Sequence, residues 1–67
     1  MEDYQLRVVK EKEELDEKLS KLILFLQSDV IHRLPRIDLD LLFHQKAAME
    51  EYSDVLRQRI TLFKGQE

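Results

Sequence analysis

The sequence predicts an all-α fold, an antiparallel hairpin of two long helices joined by a short kinked connector and assembled into a compact homo-oligomer. Three observations predict it. Apolar residues recur at steps of three and four over two long stretches. The one proline falls between those stretches, close behind Ser28-Asp29. Finally, 67 residues make one domain, residues 1–67, too small to bury a large core. Chains of this size are commonly held by disulfides, a metal or partner subunits. The chain has no cysteine, and His32 and His44 have no ligand-like spacing, so partner subunits are the expected staple.

The first element, residues 1–27, contains no Gly or Pro and is dense in Glu, Lys and Leu, which favour helix. Val8, Leu15, Leu19, Leu22 and Leu26 form a heptad-like seam, and Ile23 and Phe25 widen it near the C-terminal end. Glu14 with Lys18 and Glu17 with Lys21 stand in the favourable i, i+4 order on the exposed face. Ser28-Asp29 then offers a break or an N-cap. Residues 29–34 are expected to form one short turn with Val30, Ile31 and Leu34 facing the core, ended by Pro35. Asp38 is the expected cap of the second helix, which runs to Lys64, with Gly65 as its stop. Along that helix Leu42, Gln45, Met49, Tyr52, Leu56, Arg59 and Phe63 alternate by three and four, flanked by Ala47, Ala48, Val55 and Ile60.

Two helices cannot enclose all of this. Leu41, Phe43, Val55, Leu62 and Phe63 point several ways, and a large apolar patch left exposed marks an interface. A symmetric homo-oligomer follows as the expectation.

Net charge is -3 with 37% charged residues, which argues against a DNA or RNA polymer as partner. A small anionic ligand needs only a local positive cluster. No apolar run is long enough to span a membrane, and Glu2 and Asp3 are unlike the start of a signal sequence, so the expected location is the cytosol. Catalytic signals are poor: there is no Gly-rich phosphate loop and no nucleophile beside a base, so no enzyme and no cofactor are expected. Asp40 and His44 share a helix face but make an incomplete metal site. Asp38 and Asp40 read better as acidic residues at a helix start.

Two constellations suggest binding. Arg59 lies on the Tyr52, Leu56, Phe63 side of the second helix, where burial would demand an anionic partner. That partner is either a glutamate of a neighbouring subunit or a phosphate, which guanidinium geometry suits. Arg57 and Thr61 are i, i+4 neighbours. On the first helix, Arg7, Lys10, Lys18 and Lys21 form a basic line interrupted by Glu14, with Tyr4 one turn before Arg7. Such a line is usually a solvated face, but an aromatic beside cations can also stack a base while holding its phosphate.

The order of these residues resembles a known family. Tyr4-Gln5, Arg7-Val8, Glu11-Lys12-Glu13-Glu14-Leu15, Lys18 and Lys21-Leu22 in the first helix carry the resemblance. So do Leu41-Leu42, Gln45, Ala48-Met49, Tyr52, Val55-Leu56 and Arg59-Ile60 in the second, with the short Pro-containing connector between. The family is that of the anti-CBASS cyclic-oligonucleotide sponges of tailed bacteriophages, of the anti-CBASS protein two type. The resemblance implies a compact helical homohexamer that binds cyclic dinucleotides, such as cyclic GMP-AMP, in pockets between protomers. It implies separate cyclic-trinucleotide pockets where three protomers meet, and sequestration without cleavage in the cytoplasm of the infected host. Tyr4 and Lys18, with Arg7 and Lys21 nearby, match the dinucleotide pocket, and Arg57 or Arg59 with Thr61 match the trinucleotide pocket. The residues alone also allow a protein-interaction adaptor or an assembly protein with no nucleotide ligand.

Overall fold

A computed structural model describes residues 1–65 of the chain. Two long helices, α1 (Asp3–Leu26) and α2 (Arg36–Gly65), are joined through a 3₁₀ turn at Asp29–Arg33. The described residues contain no strand. They fold back as a narrow rod of 49 × 15 × 15 Å.

At the start of α1, the Gln5 side-chain oxygen accepts the Glu2 backbone N–H at 2.7 Å, satisfying a donor that the first turn would leave open. Gln5 is buried. The far end closes tightly: the Gln27 N–H reaches the Ile23 and Leu24 carbonyls, and the Ser28 hydroxyl donates to the Phe25 carbonyl at 2.7 Å. Ser28 therefore finishes α1 instead of capping the next element, whose N-cap position it occupies without a side-chain bond. The connector turn is 3₁₀, with Ile31 and Leu34 half-buried. Val30 departs from the expected inward face and is exposed, because a three-residue period turns it away from the neighbours that cover Ile31 and Leu34. Leu34 is extended, as the clash with a following proline dictates.

The second helix starts three residues earlier than Asp38 would allow as a cap. Pro35 is the boundary, and its carbonyl accepts the Leu39 N–H at 3.1 Å. The fixed φ of proline suits a helix start, and Asp38 then sits inside the first turn, where its charge complements the helix dipole. Gly65 is helical and has no positive φ, so it continues the helix where a left-handed stop was expected.

The seam of the hairpin is built from two columns on α2. Leu42, Met49, Leu56 and Phe63, seven apart, are buried or half-buried. Leu39, Lys46, Ser53 and Ile60, also seven apart, are half-buried beside them. Gln45, Tyr52 and Arg59, expected to share the seam, are exposed. From each residue of the first column the helix could turn the i+3 or the i+4 neighbour inward, and α2 uses the i+4 neighbour throughout. The reason lies across the seam. Lys12 of α1 donates to Asp16 at 2.6 Å and to the Ser53 hydroxyl at 3.1 Å, and that hydroxyl donates to Asp16 at 2.5 Å. Tyr52 in that place would leave this group without its closing partner. The two donors hold the Asp16 carboxyl below the usual carboxylate range, Lys12 more than Ser53.

The core is thin. Val8, Leu56 and Phe63 form the buried cluster, with Leu15 and Ile60 packed against it, and Leu26 is buried nearer the connector. The α1 seam is as expected, with Leu15, Leu19 and Leu22 half-buried between Val8 and Leu26. Phe63, expected both on the apolar line of the second helix and among the residues pointing several ways, belongs to this core. Leu41, Phe43, Val55 and Leu62 do lie exposed.

Candidate functional site

All seven residues singled out from the sequence, Tyr4, Arg7, Lys18, Lys21, Arg57, Arg59 and Thr61, lie on exposed surface. Their positions follow from the two helices. On α1 the seam residues Val8, Leu15, Leu22 and Leu26 fix which side faces α2. At 3.6 residues per turn, Arg7, Lys10, Glu14, Lys18 and Lys21 then fall on the outer face. Lys21 pairs with Glu17 at 3.3 Å with both side chains largely exposed. The expected pair of Glu14 with Lys18 is not formed, and Lys18, Arg7 and Lys10 have no carboxylate partner among the described residues. Exposed pairs of this kind contribute a few tenths of a kcal/mol, about 0.3–0.5 in helices, so Lys21 is readily released to another anion.

Tyr4 stands at the open end of the hairpin, where the start of α1 meets the end of α2. Its ring meets Phe63 edge to face, with centroids 5.7 Å apart and planes at 85°. About half of Tyr4 remains exposed. Along α1, Tyr4 and Lys18 are separated by fourteen residues, a rise of roughly 21 Å. A single protomer therefore brings Tyr4 together with Arg7 but not with Lys18 or Lys21. The two ends of the line therefore share no site within one chain.

On α2, Arg57 and Thr61 share one side. The Arg57 guanidinium lies on Asp54, with Nε at 3.1 Å and Nη2 at 2.6 Å. Gln58 donates to the same carboxylate at 2.8 Å. These donors, Arg57 foremost, hold the Asp54 carboxyl below its ordinary range. The Thr61 hydroxyl donates to the Arg57 carbonyl at 3.0 Å. Arg59, two residues from Arg57, points to a nearly opposite side. It is exposed, so the cost of burying it does not arise within one chain. Its side of α2 carries Ile37, Leu41, Ala48, Tyr52, Val55 and Leu62, spaced by threes, fours and sevens and all exposed. Ile37, Leu41 and Leu62 are 71%, 60% and 64% exposed, more than half of each side chain. This second apolar stripe, with Arg59 inside it, is the feature that the sequence line through Leu56 and Phe63 concealed. Grouping residues by angle around one helix, instead of by a single run of threes and fours, would have separated the two stripes.

At the opposite end of the rod are two open grooves. One, of about 330 Å³, is lined by Phe25, Leu34, Asp38, Leu41, Leu42 and Gln45. The other, of about 420 Å³, is formed by Ile31, His32, Leu34, Arg36, Leu39 and Asp40. Neither contains any of the seven residues. Among the described residues no cluster of three or more His, Asp or Glu is placed to hold a metal ion. No helix among them is long and apolar enough to cross a membrane.

No curated protein and no solved structure matches the chain. The family model described as Sequestin matches residues 2–62, both helices and the connector together. With nearly its whole length matched, the chain belongs to the Sequestin family.

Proposed function

We propose that the protein is a phage immune-evasion sponge. It binds cyclic di- and trinucleotide second messengers, holds them uncleaved, and so keeps CBASS effectors silent in the cytoplasm of the infected bacterium. The observation that carries this reading is the match of residues 2–62 to a family whose name denotes sequestration. The geometry supports it in two ways. The outer face of α1 presents Arg7, Lys18 and Lys21, and the half-exposed ring of Tyr4 stands at the seam edge one turn before Arg7, an aromatic beside cations suited to a base and its phosphates. The α2 stripe supplies an apolar surface through which copies of the hairpin pack as a homo-oligomer, a hexamer in this reading.

Assembly and binding then depend on each other. Tyr4 and Lys18 lie too far apart on one chain, so the dinucleotide pocket forms between subunits. Arg57 and Arg59 face different ways, so a pocket lined by arginine and Thr61 collects copies of one arginine from neighbouring subunits. A ligand in either pocket stabilises the assembly by mass action. The protein performs no reaction, and its effect rests on affinity and copy number.

The test is a thermal-shift panel of cyclic di- and trinucleotides with the bound ligand recovered after denaturation. A large shift with intact ligand supports the sponge. Linearised ligand refutes it in favour of a hydrolase. Absence of any shift refutes nucleotide binding and leaves the α2 stripe as the surface of a protein-interaction adaptor.

A further inference from the structure

Tyr4 is the second residue of α1, and Phe63 lies two residues before the end of α2. Helix ends ordinarily fray, and an aromatic side chain there ordinarily samples several rotamers. Two features oppose this. Phe63 is buried and packed in the Val8, Leu56 cluster, so its ring is fixed by the core. The Tyr4 ring meets it at 5.7 Å and 85°, a favoured aromatic geometry. In addition, the buried Gln5 side chain accepts the Glu2 N–H at 2.7 Å, closing the turn that carries Tyr4. In an edge-to-face pair Tyr4 commits at most one ring face, and about half of the residue stays exposed.

We infer that Phe63, seconded by Gln5, is a positioning residue for the Tyr4 base platform. It holds the ring in one orientation with a face open, so that a nucleobase stacks without first ordering the side chain. Phe63 touches no ligand and acts only through Tyr4. The inference rests on the proposed cyclic-dinucleotide reading and adds to it the residue on which stacking depends. It also makes the hairpin's own core part of the binding site, because the ring that orients Tyr4 comes from the opposite helix.

The experiment is a double-mutant cycle read by calorimetric titration of the full chain with cyclic GMP-AMP, using Tyr4→Leu, Phe63→Leu and the pair, with Phe63→Tyr as rescue. Phe63→Leu keeps apolar bulk and removes the ring, and is expected to weaken binding roughly two- to ten-fold, the range of an aromatic pair. Phe63→Tyr should restore it. In the Tyr4→Leu background, Phe63→Leu should have no further effect. Equal weakening in both backgrounds shows a merely structural role and overturns the inference, as does unchanged affinity in Phe63→Leu. Should Phe63→Leu fail to fold, NMR of the wild-type protein decides: contacts between the two rings must persist when the ligand is bound, and their loss overturns the inference. If the wild-type protein binds no cyclic dinucleotide, the functional reading falls and this inference with it. If it binds and the cycle is additive, only the inference falls.

Discussion

Leu56 is the deepest of the described residues, 1% exposed, and belongs to the α2 column that packs on Val8. Truncation to alanine removes three carbons from a cluster completed only by Val8, Phe63, Leu15 and Ile60. Buried Leu→Ala changes cost about 2–5 kcal/mol, from the lost transfer energy and the cavity together. The thinness of the core argues for the lower half, about 2–3 kcal/mol, because a seam between two helices relaxes more readily than a closed interior. A chain of this length has roughly 3–10 kcal/mol of stability in total at about 0.05–0.15 kcal/mol per residue. The substitution therefore removes a large share of it. At about 4–8 °C per kcal/mol for a domain of this size, the midpoint should fall by roughly 10–20 °C. Thermal unfolding followed by circular dichroism measures this, with protein concentration held constant because the proposed assembly would contribute to the midpoint. Arg59→Ala, on the exposed side of the same helix, is the control and should stay within about 0.5 kcal/mol in the unassembled chain. A loss below about 1 kcal/mol for Leu56→Ala, or an equal loss for both changes, would refute the two-column seam.

Other outcomes follow from the same geometry. Ser53→Ala removes the hydroxyl that closes the Lys12–Asp16 group, and the half-exposed setting limits its cost to about 1 kcal/mol in chemical denaturation. Asp16 and Asp54 both have carboxyls held below the ordinary value, near 3.9 when unfolded. Their contribution to stability is thus complete above about pH 5 and is lost as the pH falls below about 4 and through the lower folded values. Asp16→Asn should flatten part of that acid limb in a midpoint-versus-pH series, and an unchanged limb would sink the assignment. Leu41→Glu and Leu62→Glu place charges in the α2 stripe and should lower the mass seen by sedimentation equilibrium while leaving the helical signal intact. Unchanged mass would exclude the stripe as the subunit seam. Tyr4→Ala and Lys18→Ala should each weaken cyclic-dinucleotide binding, Tyr4 by roughly 5- to 100-fold from the stacking range of about 1–3 kcal/mol per base. Wild-type affinity in both variants would refute the placement of Tyr4 and Lys18 in the pocket.

Both helices, the connector and the α1 seam were legible because period and composition act locally. Leu15, Leu19, Leu22 and Leu26 leave one apolar side and no choice of face. Second-helix facing was not legible, because α2 carries two apolar stripes and the run through Tyr52 and Arg59 borrows from both. The group that decides between them, Lys12 with Asp16, lies on the other helix, and a polar residue in a seam carries no periodic signal. Helix ends were off for a related reason: Pro35 and Asp38 both mark a start, and backbone geometry favours the proline. The basic line was placed correctly on an outer face. The separation of Tyr4 from Lys18 follows from helix rise alone, whereas the contact of Tyr4 with Phe63 required knowledge of how the chain folds back.

The hydroxyl of Ser53 has a consequence for alignment. Hydrophobic seams with a seven-residue repeat tolerate slippage by one repeat, since leucine replaces leucine and little distinguishes the registers. Sliding α2 one repeat in one direction would set Ile60 against Asp16, with no donor to offer. The other direction would set Lys46 there, a second ammonium beside Lys12. Only one setting lets a group that both donates and accepts stand between Lys12 and Asp16. A single oxygen midway along the rod thus carries the information that tells one helix where the other begins. The meeting of Tyr4 with Phe63 at the far tip, 59 positions apart in the chain, is dictated from the middle.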